Sequence, residues 1–161
     1  MKEAGTRALI SVVAGVLSDA AGRVLLAQRP EGKHLAGGWE FPGGKLEPGE
    51  ERLEGLTREL LEEIGVIVQA ARPLVRVLHA YTDRDIDLDA WLVTSFSGEP
   101  VGREGQVLRW CRSEDLGGVD LLPADLPVIA ALRAGPLACH DLDLGKCGTR
   151  SLVSRGTQSA K

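Results

Sequence analysis

No apolar run in this chain reaches the roughly 20 residues that a membrane-spanning helix needs. The longest, Ala8 to Leu17, is interrupted by Ser11 and Gly15, so no membrane anchor is expected. A secretory leader is not evident either: Met1 and Lys2 are followed by Glu3, without the basic start, apolar stretch and small-residue cleavage site of such a signal. The cytoplasm is the expected location. Positive charge is the scarcer sign, with 19 Lys and Arg against 23 Asp and Glu and a net charge of −4. That balance argues against an electrostatic grip on nucleic acid, whose binders carry a basic patch. It leaves phosphate binding through metal ions open. Cysteines are few and odd in number, Cys111, Cys139 and Cys147, which does not suit a disulfide framework, and reduced thiols are expected. The chain has no internal repeat, and nothing in it marks an obligate protein partner.

What remains is an ordinary globular composition, 43% hydrophobic and 26% charged over 161 residues, a length that fits one domain. Ala8 to Leu17 and Arg23 to Ala27 read as β-runs around the turn-like Ser18-Asp19-Ala20-Ala21-Gly22, so a hairpin is expected. A Gly-rich ordered loop should follow Pro30 and run to Gly49. From Glu50 the apolar residues Leu53, Leu56, Leu60, Leu61 and Ile64 recur at helical spacing until Gly65, which predicts an amphipathic helix. Strands are predicted over Val66 to Leu78, Asp85 to Phe96 and Gln106 to Cys111, with a short helical turn from Ser113. A second helix is predicted over Asp125 to Leu132, with Asp125 available as N-cap. The domain is therefore expected over residues 1–135 and a flexible tail over 136–161. Cys139, His140 and Cys147 in that tail match no zinc spacing and lack a fourth ligand.

The chemistry is concentrated between Gly44 and Val66. On a helix, at about 100° per residue, Glu59, Glu62 and Glu63 fall within about 100° of arc. Carboxylates so placed repel one another unless a cation sits among them, and hard divalent ions such as magnesium prefer oxygen ligands and bridge carboxylates to phosphates. On physics alone the same face also reads as a solvated helix surface with Arg58 and Arg52 as partners. The whole pattern decides between these. Gly44, Glu50, Arg58, Glu59, Leu60, Glu62, Glu63, Gly65 and Val66 match the Nudix box, Gly-x5-Glu-x7-Arg-Glu-apolar-x-Glu-Glu-x-Gly-apolar, at every fixed position.

The chain thus resembles the Nudix hydrolase family. The resemblance implies an α/β fold, an α/β/α sandwich around a mixed β-sheet, in agreement with the order strands, helix, strands, helix read above. It implies that Glu59, Glu62 and Glu63, with the carbonyl of Gly43, hold Mg2+, Mn2+ being a possible substitute. Arg58 would orient a glutamate, and Glu50 would brace the loop against the helix. The reaction implied is attack of water on an internal phosphorus, the ions lowering the pKa of that water and neutralising charge on the leaving pyrophosphate.

The resemblance covers Val12 to Leu132 and is greatest to the MutT-type branch, which includes 8-oxo-dGTP diphosphatases and a CTP pyrophosphohydrolase. The run Leu25 to Pro30, then His34, then Trp39-Glu40-Phe41-Pro42-Gly43-Gly44 carries it. It implies that Arg29 and His34 touch substrate phosphate or sugar and that Phe41 touches the base, with Glu40, Pro42 and Gly43 in the same substrate-binding stretch. Gly98 to Gln106 resembles a MutT segment in which the equivalent of Glu104 is a metal ligand or base. Arg84 matches a base-proximal arginine. Asp125, in Leu122-Pro123-Ala124-Asp125, lies where these enzymes read the base. An asparagine there donates and accepts at once, whereas an ionised aspartate only accepts, and the Pro-Ala-Asp form is similar to the CTP-directed relatives. The expected function is Mg-dependent hydrolysis of a nucleoside triphosphate, foremost 8-oxo-dGTP as nucleotide-pool sanitising. Pyrimidine triphosphate hydrolysis and a non-catalytic nucleotide-binding module stay open beside it.

Overall fold

The computed structural model describes residues 7–135; the tail over 136–161, with Cys139, His140 and Cys147, lies outside the described residues. Strand β1, Ala8–Leu17, runs parallel to β6, Arg84–Ser97, over its whole length. On its other side it pairs antiparallel with the short β4, Gly43–Lys45. The long β5, Ile67–Ala80, pairs antiparallel with β6, giving a mixed sheet in the order β4-β1-β6-β5. A smaller antiparallel sheet places β2, Val24–Gln28, between β3, Trp39–Glu40, and β7, Leu108–Cys111.

The continuous apolar run of β1 is explained by burial on both faces. Val13 and Leu17 point to one side, where they meet Leu56, Leu60 and Ile64 of helix α1, Arg52–Ile64. Ala14 and Val16 point to the other, into a cluster with Leu88, Ala90 and with Val128 and Ile129 of helix α2, Leu126–Ala134. Helix, sheet and helix form the expected sandwich. Burying each large aliphatic side chain contributes about 1.5–3 kcal/mol, so three such residues on α1 fix its face against the sheet. The helix stops at Gly65, whose φ of 72° is a left-handed conformation that costs a residue with a Cβ. Among the described residues no helix is long and apolar enough to cross a membrane.

The expected hairpin of β1 and β2 forms only as a turn. Asp19 N–H donates to Arg23 and Gly22 N–H to Asp19, but a single bridge, Ser18 to Val24, joins the two strands before they part into different sheets. The reason is competition: β1 is already paired on both edges, so β2 must find its partners elsewhere. Cys111 is buried and free.

Candidate active site

A cavity of about 560 Å3 opens at the β4 end of the mixed sheet, within the size range of small-ligand sites. Val12 and Ala14 of β1 and Ile86 and Leu88 of β6 form its floor. One wall is acidic: Glu59 and Glu63 of α1 and Glu104, from the connection before β7, with Gly43, Gly44 and Lys45 of β4 beside them. The facing wall is mostly apolar and contains Phe41, Tyr81, Leu122, Ala124 and Asp125.

The acidic wall is built around one guanidinium. Arg58 donates from Nε and Nη2 to the two carboxylate oxygens of Glu50, at 2.7 and 2.9 Å, and from Nη2 to the carbonyl of Lys45 at 3.1 Å. Its Nη1 donates to Glu59 at 2.8 Å and to Glu62 at 3.3 Å. The bidentate bond from Arg58, joined by the N–H of Glu47, holds the Glu50 carboxyl down to about 2, and Glu50 with Glu59 raises Arg58 further above its ordinary range. Such fork geometry is specific to arginine. β4 approaches so closely that a Cβ on Gly44 would run into the carboxylate of Glu59, which ties this position to glycine. Glu63 accepts a hydrogen bond from the N–H of Gly43 at 2.8 Å. Burial, then the charges of Glu40, Glu104 and Glu59, push its carboxyl up to about 7 against the pull of that N–H.

The three glutamates of the helix face are not equivalent. Glu59 and Glu63 line the cavity, whereas Glu62 does not and is 60% exposed. Helical spacing predicts which side of α1 they share but not how far the packing of β4 and the 98–107 connection extends over it. Among the described residues no three Asp, Glu, His or Cys side chains are grouped so as to hold a metal as they stand. Each carboxylate is instead tied within the protein: Glu59 and Glu62 to Arg58, Glu63 to a backbone N–H, and Glu104 to Lys33. The donor set nevertheless fits a hard divalent cation, since oxygen atoms alone supply it and the mutual repulsion that raises Glu63 is what a cation would relieve.

On the facing wall Asp125 is buried at 5% exposure. It follows the tight turn Pro123–Asp125 and precedes α2, yet its carboxyl makes no cap bond to that helix. Asp125 thus stands at the expected N-cap position without capping the helix: the turn swings the side chain into the cavity, where Oδ1 accepts the N–H of Phe41 at 3.3 Å. Burial, then the negative charge of Glu40, pushes its carboxyl up to about 8. A carboxyl with that value is mostly protonated at neutral pH and, unlike an ionised aspartate, both donates and accepts.

Arg29 and Glu40 line the cavity as a pair, Nη1 to Oε2 at 2.7 Å, and burial raises the Glu40 carboxyl despite Arg29. The buried Nε of Arg29 has no hydrogen-bond partner among the described residues, a donor that a ligand can satisfy. His34 lines the cavity with its ring edge-on to Tyr81, centroids 5.6 Å apart. Phe41 is 3% exposed and belongs to the core while lining the cavity. Arg84 lines it too, paired with Asp83. Pro42 is not among its lining residues: it is buried and its carbonyl accepts the N–H of Gly15 at 2.8 Å. Lys33, Lys45 and Tyr81 line the cavity although the sequence reading did not single them out. The available signals were adjacency to named residues: Lys33 to His34, Lys45 to Gly44, and Tyr81 three residues before Arg84.

The family model described as the NUDIX domain matches residues 13–131. The chain belongs to the Nudix family. This Nudix hydrolase is 40% identical over 126 residues to the CTP pyrophosphohydrolase of Escherichia coli, covering 78% of this chain and 93% of that protein. It is 36% identical over 124 residues to the 8-oxo-dGTP diphosphatase of the same organism, covering 77% and 96%. The solution structure of the E. coli ORF135 protein superposes with a TM-score of 0.72 at 38% identity, covering 85% of this chain and 97% of that one. Nudix hydrolases generally need a divalent metal, in keeping with the oxygen-rich wall.

Proposed function

We propose that this Nudix hydrolase is a magnesium-dependent nucleoside triphosphate pyrophosphohydrolase that releases the monophosphate and pyrophosphate, with 8-oxo-dGTP as its foremost substrate. The observation that carries the reading is a single cavity lined both by acidic oxygens of α1 and by the buried carboxyl of Asp125. Mg2+, or Mn2+ in its place, supplies charge neutralisation at the phosphate oxygens and a lowered pKa for the attacking water. We assign Glu59, Glu62, Glu63, Glu104 and the carbonyl of Gly43 to hold it. Arg58 fixes Glu59 and Glu62 and is itself fixed by Glu50. Arg29 and His34 are assigned to phosphate or sugar, and Phe41 and Arg84 to the base. The nucleotide pool of the cytoplasm is where such an activity would act.

The base preference follows from hydrogen-bond arithmetic. Guanine presents two acceptors, N7 and O6, along one edge. Oxidation at C8 places a hydrogen on N7, so the edge becomes one acceptor and one donor. A protonated Asp125 matches that edge, donating to O6 and accepting from N7–H. Against unmodified guanine it satisfies only one of two acceptors. A second reading, a CTP pyrophosphohydrolase, is favoured by the 40% identity to that enzyme, and the same neutral carboxyl also complements N3 and the N4 amine of cytosine.

The deciding measurement is kcat/KM with Mg2+ for 8-oxo-dGTP, dGTP, CTP and 5-methyl-dCTP, followed as pyrophosphate release. A clear lead of 8-oxo-dGTP over dGTP is expected. A lead for CTP or 5-methyl-dCTP replaces it with the pyrimidine reading, and turnover of none would leave a nucleotide-binding module.

A further inference from the structure

Among the described residues, Glu104 is the member of the acidic wall whose cationic partner comes from another connection, that of Lys33. Its Oε2 lies 3.4 Å from Nζ of Lys33, and both side chains are about half exposed, at 53% each. The two residues belong to separate connections, 29–38 and 98–107, and both line the cavity. Their backbones are pinned. Arg29 N–H donates to Gly38 and Gly37 N–H to Arg29 on one side, while Arg103 N–H donates to the carbonyl of Glu63 on the other. Glu104 N–H donates to Gln106 Oε1, and Gln106 Nε2 donates to the carbonyl of Glu63. The side chains are thus free to exchange partners over a backbone that stays in place.

Resting on the function proposed above, we infer that Lys33 is a two-position phosphate-binding residue. In the empty cavity it restrains Glu104, and when substrate arrives it moves to the outer phosphates of the triphosphate and releases Glu104 toward the metal. The chemistry favours the exchange. An exposed ion pair of this kind is weak and screened by water, and a lysine on a flexible four-carbon stem with three rotatable donors binds phosphate as a point charge. The exchange conserves charge: Glu104 loses a cation as the divalent ion arrives, and Lys33 gains the anion that the ion accompanies. It also accounts for carboxylates that converge on one wall without forming a ready-made metal cluster.

The test is a double-mutant cycle read by Mn2+ binding to nucleotide-free protein, using Lys33→Met, Glu104→Gln and the double variant. Lys33→Met is expected to tighten Mn2+ about threefold and to have no effect when Glu104 is already Gln. Equal tightening in both backgrounds would mean that Lys33 acts only through its field, which overturns the inference. In a second measurement, Lys33→Met is expected to weaken the α,β-methylene triphosphate analogue of the preferred nucleotide about fivefold in Mg2+ and to leave the monophosphate unchanged. Lys33→Arg should restore most of the loss. Equal losses for both ligands, or none, reject the phosphate role. If wild-type protein releases pyrophosphate from no triphosphate, the functional reading fails, while the Mn2+ cycle still decides the Lys33–Glu104 restraint.

Discussion

The acidic wall takes Gly43, Gly44, Glu59 and Glu63 from the short stretch that contains β4 and α1 and adds only Glu104 from elsewhere, whereas the facing wall takes Phe41, Tyr81 with Arg84, and Asp125 from three separate places in the chain. The first wall is stiffened by charge, with Arg58 bonded to Glu50, Glu59 and Glu62. The second is stiffened by packing, and among the described residues the carboxyl of Asp125 is anchored by the N–H of Phe41. The comparison teaches a division of labour that matches the proposed reaction. Bond breaking needs the same carboxylates whatever the base, so most of them can be held on one rigid segment, with Glu104 brought in from the connection before β7. Choice of base needs shape and a donor–acceptor pattern, which distant elements can vary without disturbing the chemistry.

That division is sharpest if damage to the two walls has different kinetic signatures. Glu63→Gln should give the largest effect, a fall in kcat of at least about a hundredfold. The amide oxygen can still accept the N–H of Gly43, so the fold is expected to persist, as thermal unfolding would confirm. The loss should be the same for every nucleotide that the wild type hydrolyses. A change in the ratio between bases would break the separation of walls.

A smaller effect of the same kind is expected from Glu50→Gln. Glu50 is not in the cavity, but it receives two donors of Arg58, and a neutral amide cannot hold them both with the same charge-assisted strength. Arg58 then loses its fixed position, and Glu59 and Glu62 lose theirs. We expect kcat to fall about tenfold with weaker Mn2+ binding, again without a change in base preference. Full activity with full metal affinity would show that the Arg58 lattice is dispensable.

The two walls also differ in how far they could be read from sequence. Apart from Glu104, the acidic wall was legible because its parts lie at fixed spacing on one helix and one adjoining loop, and linear spacing there is spatial spacing. Even so, spacing treats Glu59, Glu62 and Glu63 alike, and only the packing of neighbouring elements separates the exposed Glu62 from the other two. The stop at Gly65 was equally legible, since a positive φ demands glycine. The facing wall was not, because Tyr81 enters it from the β5–β6 turn and Asp125 from a tight turn that redirects a side chain which propensity alone would make an N-cap. The protonation of Asp125 depends on burial among residues far away in sequence, which no local pattern reports. The β1–β2 hairpin misled for a related reason: the turn residues are right for a hairpin, but strand pairing is settled by which edges remain free.

The smallest effect on rate, and the sharpest on specificity, is expected at Asp125. Its carboxyl, raised to about 8 by burial and by Glu40, is protonated below that value and loses its donor above it. In the ratio of kcat/KM for 8-oxo-dGTP over dGTP, contributions from the metal, the phosphates and Glu63 are common to both substrates and cancel. The ratio should therefore be level near pH 7 and fall about tenfold by pH 9, as the protonated fraction of a group titrating near 8 falls. Asp125→Asn keeps one donor and one acceptor at every pH, so this variant should retain the preference and flatten the curve. Any slope that survives in it belongs to titration of the base itself and can be subtracted from the wild-type curve. A wild-type ratio that stays level to pH 9, or that rises, would mean that Asp125 meets the base as a carboxylate. The preference for the oxidised purine would then have to arise from the shape of the apolar wall around Phe41 and Tyr81 rather than from a shared proton.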